Sequence, residues 1–370
     1  MKILYYIHFL SVGGAEKIAV DYLINLKKKN VDVVLVVLRR CQSFLENQII
    51  DAGIKMYALN ESCGIRKLNG VIIRINRLIG YEGKWKKILA QERPDIIHAH
   101  TFIDTLKNVN FPSNRIVFTF HAQVERSLAL SSDLNKNMLK TFAENGMTFF
   151  SLTEQACRDI VERYPNSRVV KMPNAIDINK IKENTVDRDS LFRNYDIPKD
   201  AFILGHVGRF HPVKNHEKII SVFEEVRKLN EKTYLLLIGG DNGNRINLIK
   251  NIARERGLLP YIKFLGVRED ATAIMSLFDV FILPSFSESF SLATVEAQVF
   301  GKRCVVSDNV PEEVCCNDNC FRLGLDKSDK EWAELILSES IKCRHKNIQQ
   351  YDIEIVINHM IEAYSKICEE

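Results

Sequence analysis

No CxxC pair occurs among the nine cysteines of this 370-residue chain, and their one cluster, Cys315, Cys316 and Cys320 in CCNDNC, lacks a second ligand pair at zinc spacing. A metal centre and a disulfide framework are therefore not expected. The start, MKILYYIHFL, is apolar for only ten residues and reads as a strand rather than an export signal, so the thiols fit a reducing, cytoplasmic setting. No stretch approaches the ~18 uninterrupted apolar residues of a spanning helix, which leaves peripheral membrane contact as the only kind expected. Short-period repeats and low-complexity tracts are missing too. Charge of one sign is not in excess: 51 Lys and Arg against 47 Asp and Glu give +4, too little to demand a nucleic-acid partner. With 46% hydrophobic and 26% charged residues, disorder and a collagen-like repeat are excluded, and the length leaves room for two domains.

The charge is unevenly placed. Residues 1–182 carry 27 basic and 17 acidic side chains, a balance of +10, and residues 183–370 carry 24 and 30, a balance of −6. A positive first half suits an anionic neighbour such as a phospholipid surface, a lipid phosphate or a polyphosphate substrate, against the alternative of a chance excess on a solvated face. Residues 64–87, GIRKLNGVIIRINRLIGYEGKWKK, hold seven basic residues and one acidic one, with Val71, Ile72, Ile75, Leu78 and Ile79 interleaved. They read either as a basic amphipathic surface for an anionic bilayer, with Arg74, Arg77, Lys86 and Lys87 as its contacts, or as a core helix with solvated cations.

Short runs rich in Val and Ile alternate with longer amphipathic segments, the pattern of repeated βαβ units and a parallel sheet, and the pattern occurs twice. The first pass predicts strands at 2–9, 31–38, 96–98, 116–120 and 148–152, with a helix starting near Ala15. The second predicts them at 202–207, 234–238, 262–264, 280–283 and 303–307. Between the passes, residues 174–199 lose the hydrophobic pattern and read as a linker. The predicted domains are 1–182 and 183–350. Residues 351–370, with apolar side chains at helical spacing, form an amphipathic terminal helix expected to return to the first domain. Open α/β sheets bind ligands at the carboxyl ends of their strands, and two facing domains would leave a cleft there.

Three segments carry candidate chemistry. In DVFILPSFSESFSLATVEA an apolar strand stops at Pro284, a polar turn follows, and a helix is predicted to start near Ser291. Its first amides and positive dipole end offer a seat for a phosphate group. Glu288 and Glu296 lie on either side, suiting a ligand with hydroxyls at both ends, although either could be an ordinary cap or surface residue. In GHVGRFHPVKNH, Gly208 lets the backbone approach a ligand, and Arg209 with Lys214 supplies two cations for a diphosphate, the alternative being two exposed surface charges. In the first half, Gly13 and Gly14 open a helix where a bulky side chain would block a ligand, but this is no GxGxxG and the dinucleotide reading is weak. His121 follows a strand and is aimed at the same expected cleft, or is structural. His98 and His100, in DIIHAHT, are read as supporting residues at the same rim.

Taken together, GGAEK, HAHT, FHAQ, PNAID, VGRFHPVKN, LLLIGGDNG, FLGVRED and DVFILPSFSESFSLATVEAQVFGKRCVVSD resemble, in family order and over nearly the whole chain, the retaining GT-B glycosyltransferases of glycosyltransferase family four. Glu288 and Glu296, with seven residues between them, match the family's paired-glutamate signature. The resemblance implies a GT-B fold, two doubly wound Rossmann-like α/β domains facing across a cleft, with 1–182 binding the acceptor and 183–350 the nucleotide sugar. It implies that Glu296 binds the ribose, Glu288 the transferred sugar, and Arg209 with Lys214 the diphosphate. Amides from Ser289, Phe290, Ser291 and Leu292 would hold phosphate, the backbone at Val267 and Arg268 would meet the base, and Gly208 and Gly239 would border the donor. His121 would contact the donor sugar, and Gly13 with Gly14 would leave space for diphosphate and acceptor. No cofactor and no metal ion is implied. The donor would be a nucleotide diphosphate sugar, UDP-sugar first, and the acceptor lipid-linked or a growing glycan.

Two departures bear on specificity. Ser289 stands where many members have glycine, and Ser307-Asp308-Asn309-Val310-Pro311-Glu312 replaces a Gly-Gly form, both similar to a branch found in capsule and exopolysaccharide assembly. Within the family the leaving phosphate oxygen is thought to help deprotonate the acceptor, so positioning and leaving-group stabilisation would supply the catalysis. Alternatives are a GT-B epimerase or phosphorylase, distinguished by turnover of donor without acceptor, and a silent nucleotide-sugar-binding subunit, distinguished by binding without transfer.

Overall fold

The computed structural model describes residues 1–11, 13–60, 81–241, 243–339 and 347–370. These form two compact units, Met1–Asn174 together with Ile353–Glu370, and Ala175–Asp352.

The first unit is built on a seven-stranded parallel sheet of β1 (Lys2–Ile7), β2 (Asp32–Arg39), β3 (Lys55–Asn60), β4 (Ile96–His100), β5 (Ile116–Thr119), β6 (Thr148–Ser151) and β7 (Arg168–Lys171), in the order β3-β2-β1-β4-β5-β6-β7. Its central strands are apolar along their length because helices cover both faces, as parallel sheets require; Ile3, Leu4, Tyr5 and Tyr6 of β1 are all fully buried. The order reverses between β1 and β4, which sets the topological switch point at His8 and His100.

The second unit repeats the plan with β8 (Phe202–Val207), β9 (Thr233–Ile238), β10 (Ile262–Gly266), β11 (Val280–Leu283), β12 (Arg303–Ser307) and β13 (Cys320–Leu323), in the order β10-β9-β8-β11-β12-β13. Its switch point lies between β8 and β11, where the chain enters Gly208-Arg209 and Pro284-Ser285. Gly205 on β8 is required by close packing, since a Cβ there would lie 2.2 Å from the ring of Phe278.

The domain boundary differs from the expectation. Residues 175–182 join the second unit, because Ile176, Ile178 and Ile181 are buried and the helix Ile178–Glu183 lies against the helix Leu292–Val299. The predicted linker thus contains helices at Ile178–Glu183 and Arg188–Asn194. The terminal segment also divides. Tyr351 belongs to the second unit, its hydroxyl donating to the carbonyl of Glu313, whereas the helix Ile353–Glu369 belongs to the first and packs on the helix Gly14–Lys28. Arg74 and Arg77 lie outside the described residues. Lys86 and Lys87 sit on the helix Glu82–Glu92, which buries Trp85 and Ile88 in the core of the first unit and pairs Lys86 Nζ with Glu82 at 2.9 Å. No helix among the described residues is long and apolar enough to cross a membrane.

Candidate active site

In the second unit the two loops that leave β8 and β11 meet. The amide of Phe286 donates to the carbonyl of Val213 at 2.8 Å, and Lys214 Nζ donates to Glu288 Oε1 at 2.6 Å. Both side chains of that ion pair are largely shielded, Lys214 at 21% exposure and Glu288 at 9%. A short 3₁₀ turn, Pro212–Lys214, followed by Asn215 in the left-handed region at φ +53°, turns the lysine towards the β11 loop. Ser307 Oγ donates to the carbonyl of Ser285 at 2.6 Å, tying the start of that loop to β12.

The helix Leu292–Val299 follows. Ser291, its N-cap, adopts φ +77°, a conformation that costs a non-glycine residue of order 1–3 kcal/mol and persists only where the surroundings hold it. Its hydroxyl meets Thr294 Oγ1 at 2.8 Å and does not cap the backbone, so the first-turn amides lack both an intrahelical partner and a side-chain cap. Glu296 lies one turn further on and is 6% exposed. The ring of Phe290 is buried edge-on against Tyr351, centroids 5.2 Å apart, so only its backbone can serve a ligand.

Gly239 at the end of β9 has φ +152°, and a Cβ there would fall 1.9 Å from the carbonyl oxygen of Gly208. This contact holds the Gly208 loop against β9, helped by hydrogen bonds from Gly208 N to Ile238 O and from Phe210 N to Gly240 O. Gly239 N in turn donates to Gly266 O, which brings Val267 and Arg268 alongside. Val267 is exposed. The Arg268 guanidinium is held in a two-pronged pair with Asp270, at 2.7 and 2.6 Å, which raises the arginine's pKa and lowers the aspartate's. Arg209 is exposed.

Two residues not singled out from the sequence lie beneath this loop. His206 and His216 are fully buried, with ring centroids 4.9 Å apart, and burial pushes their pKa values down to about 4 and about 2. His206 Nδ1 donates to the carbonyl of Ile282 at 2.9 Å, joining β8 to β11, and a Cβ on Gly208 would lie 2.9 Å from its Nε2. The signal was the repeated histidine in GHVGRFHPVKNH, which spacing alone does not separate from polar side chains turned to solvent.

In the first unit, Gly13 is the N-cap of the helix Gly14–Lys28 in extended backbone at φ −164°. The room beside it is taken by Glu16, whose Oε2 lies 2.3 Å from where a Cβ would stand and whose other carboxylate oxygen accepts from Ser11 Oγ. At the strand ends, His121 Nε2 and His100 Nδ1 are 2.7 Å apart, and His98 lies between Tyr364 Oη at 2.6 Å and Thr119 Oγ1 at 2.8 Å. Burial holds all three imidazoles well below their usual pKa, His121 at about 4. In the CCNDNC cluster Cys315 and Cys320 approach to 2.9 Å between sulfurs, and their mutual hydrogen bonding and burial push the Cys315 thiol up. Among the described residues no group of three or more His, Cys, Asp or Glu side chains is arranged to hold a metal ion.

Residues 12–180 match the model for Glycosyltransferase Family 4, and residues 187–339 match the model for Glycosyl transferases group 1. EpsF of Bacillus subtilis, named as a glycosyltransferase, is 34% identical over 48% of this chain and 46% of its own length. The UDP-Gal:alpha-D-GlcNAc-diphosphoundecaprenol alpha-1,3-galactosyltransferase of Escherichia coli is 27% identical over 64% of this chain and 63% of its own. The chain therefore spans between about half and two thirds of the length of these relatives. Among solved structures, HepE of Anabaena in complex with UDP-glucose superposes with a TM-score of 0.77 at 17% identity, covering 99% of this chain and all of that one. The pneumococcal O-GlcNAc transferase GtfA, in complex with UDP and GlcNAc, gives a TM-score of 0.67 at 11% identity over 100% and 99% of the two chains. These likenesses share the fold. With both halves matched by the two modules of one group of enzymes, the chain belongs to the GT-B glycosyltransferases of family four.

Proposed function

We propose that the chain transfers a sugar from a nucleoside diphosphate sugar, UDP-sugar first, to a lipid-linked or growing glycan acceptor in surface-polysaccharide assembly, with retention of configuration and without a metal ion. The observation that carries this reading is the Lys214–Glu288 pair at the switch point, set beside a helix start whose amides lack a cap and which bears Glu296 in its second turn. A cation, a dipole end and two shielded carboxylates are what a diphosphate flanked by two polyhydroxyl groups needs. In this reading Lys214 and Arg209 take the diphosphate, and amides of residues 289–292 take its distal phosphate. Glu288 holds the sugar hydroxyls, and Glu296 the ribose. Without donor, Lys214 and Glu288 satisfy each other; with donor, each gains a ligand partner while staying within reach of the other. Negative charge developing on the leaving diphosphate is stabilised by groups already in place, which is where the rate enhancement arises. His121 contacts the transferred sugar, and the Gly13-Gly14 turn, where Glu16 fills the room beside Gly13, borders the acceptor end.

The relatives named above support the donor and acceptor classes: one is named for UDP-Gal and a diphosphoundecaprenol-linked acceptor, and two solved neighbours hold UDP with a sugar. A thermal-shift panel of nucleotide sugars, followed by transfer assays with the donor that binds, tests the proposal. A donor held by the folded state alone at 100 times its Kd adds about 2.7 kcal/mol and raises Tm by several degrees. No shift with any nucleoside diphosphate sugar would reject the reading.

Peripheral attachment to an anionic bilayer through Arg74, Arg77, Lys86 and Lys87 is part of the proposal. Binding to phosphatidylglycerol vesicles is expected to fall with salt and on charge reversal at these four positions, by about 1 kcal/mol for each cation near the surface. Salt-insensitive binding, or none, would remove the membrane from the account.

A further inference from the structure

The carboxyl edge of the first sheet holds a further cluster of side chains, on the face turned away from His98. Side chains alternate along β1, so His8 lies with Tyr6 and Trp85 rather than with Tyr5 and His98. The strand continues past Ile7, the carbonyl of His8 accepting from the amides of Leu38 and Arg39 at 3.0 and 3.3 Å. Three rings fix the imidazole. Phe102 stacks on it with centroids 4.2 Å apart and 16° between the planes, and Tyr6 and Phe9 meet it edge-on at 5.6 and 5.8 Å.

Thr101, just after β4, turns the chain so that these groups meet. Its φ of +70° is an outlier for a β-branched residue, and the amide of Phe102 donates back to the carbonyl of His100 at 2.8 Å, closing a tight γ-turn. Strain of this kind persists only where the surroundings impose it, and it collects at ligand sites. Here Asn135, a fully buried side chain, imposes it by accepting from the amide of Ile103 at 2.8 Å. The short turn Asp104–Leu106 then sets Asp104 Oδ1 3.5 Å from His8 Nε2, and both atoms are buried with no hydrogen-bond partner. A contact of that length before a ligand arrives is common at functional sites and tightens on binding. A carboxylate can only accept, so Nε2 carries the proton of the neutral ring and Nδ1 presents a lone pair. The His8 side chain keeps 15% exposure, and no hydrogen bond among the described residues engages its Nδ1.

We infer that His8, oriented by Asp104, is a subsite for a neutral hydroxyl-bearing group, a sugar of the acceptor, with Nδ1 accepting a hydrogen bond from one of its hydroxyls. Both residues stand at the topological switch point of the first sheet, where open α/β sheets bind ligands. The carboxylate behind the ring repels a phosphate and strengthens the Nδ1 lone pair as an acceptor from O–H. The hydroxyl keeps its proton at this contact; the contact binds and aligns the sugar. This subsite rests on the proposed reading of the chain as a transferase whose acceptor meets the first unit, and its occupancy can be measured without turnover.

The test uses the full chain labelled with ¹⁵N-histidine, with His8 signals assigned from a His8→Asn variant. At mildly alkaline pH, where an ordinary imidazole is neutral, His8 is expected to show a protonated Nε2 and an unprotonated Nδ1. Methyl glycosides of glucose, galactose and N-acetylglucosamine are then added in turn, with inorganic phosphate in parallel. At least one glycoside should shift the His8 Nδ1 signal saturably, and phosphate should not. By saturation transfer, the affinity for that glycoside should fall roughly tenfold in His8→Leu, with Tm and the calorimetric affinity for UDP left native. His8→Asn, whose side-chain oxygen can stand near the position of Nδ1, should recover much of it. A His8 protonated on Nδ1, a response to phosphate alone, no response to any of the three glycosides, or equal glycoside binding by the native chain and His8→Leu would overturn the inference. A glycoside held at His8 by a chain that binds no nucleoside diphosphate sugar would instead overturn the donor reading and leave the His8 contact standing.

Discussion

Glu288→Gln is expected to lower turnover by roughly 10²- to 10³-fold while leaving the protein folded. The substitution keeps the shape of the side chain and removes the charge that holds Lys214 Nζ at 2.6 Å. Two consequences act together: the ammonium loses the anchor that aims it at the diphosphate, and the sugar hydroxyls lose their charged acceptor. Stability should suffer little, because Lys214 at 21% exposure can turn its ammonium to water. Glu288→Ala should behave similarly in turnover. Purified variants with native Tm and near-normal kcat would remove Glu288 from the reaction.

The second large effect is acid lability. His98, His100, His206 and His216 are at most 1% exposed, and burial holds them neutral, with His206 at about 4 and His216 at about 2; His121 lies at about 4. In the unfolded chain each would titrate near 6.5. Below that pH the unfolded state binds more protons than the folded one, so stability is complete near pH 7.5 and falls as the pH drops from 6.5 towards 4. At pH 5.5 each fully buried imidazole withdraws roughly 1.4 kcal/mol. With His98 and His100 in one unit and His206 and His216 in the other, each unit loses about 3 kcal/mol, a Tm drop of about 10 °C. A Tm constant between pH 7.5 and 5.5 would show that these imidazoles reach water or partners that the buried geometry denies them.

The legible parts of the fold were those where burial on both faces made a strand continuously apolar. The runs ILYYI, VVLVVL and VFIL leave no other reading, and the first and last of them, β1 and β11, each border a switch point. Three of the four edge strands escaped notice for the same physical reason, β10 being the exception. Lys55–Asn60, Arg168–Lys171 and Cys320–Leu323 are each flanked by one strand only and are half-exposed, so KMYALN, RVVK and CFRL mix polar and apolar residues like loops. The helix INKIKE looked like linker because only two of its six side chains, Ile178 and Ile181, are buried.

Within the site, residues joined by one loop were readable, since a strand, a turn and a helix start in sequence determine where Ser291 and Glu296 stand. Contacts between loops were not. Lys214 and Glu288 are 74 residues apart, and His98 and Tyr364 are 266 apart. The ring of Phe290 illustrates the same limit: the sequence offered its amide to the phosphate seat, and the packing of its ring on Tyr351, from far along the chain, was not readable.

Calorimetric titration with UDP of the native chain and of Lys214→Gln, Glu296→Gln and Glu288→Gln tests the donor site most directly. UDP has the ribose and diphosphate but no sugar, so Lys214→Gln and Glu296→Gln should each weaken binding at least tenfold, about 1.4 kcal/mol, while Glu288→Gln affects UDP much less than UDP-sugar. UDP bound equally well by the native chain and by both the Lys214 and Glu296 variants would contradict the assignment of these residues to the donor.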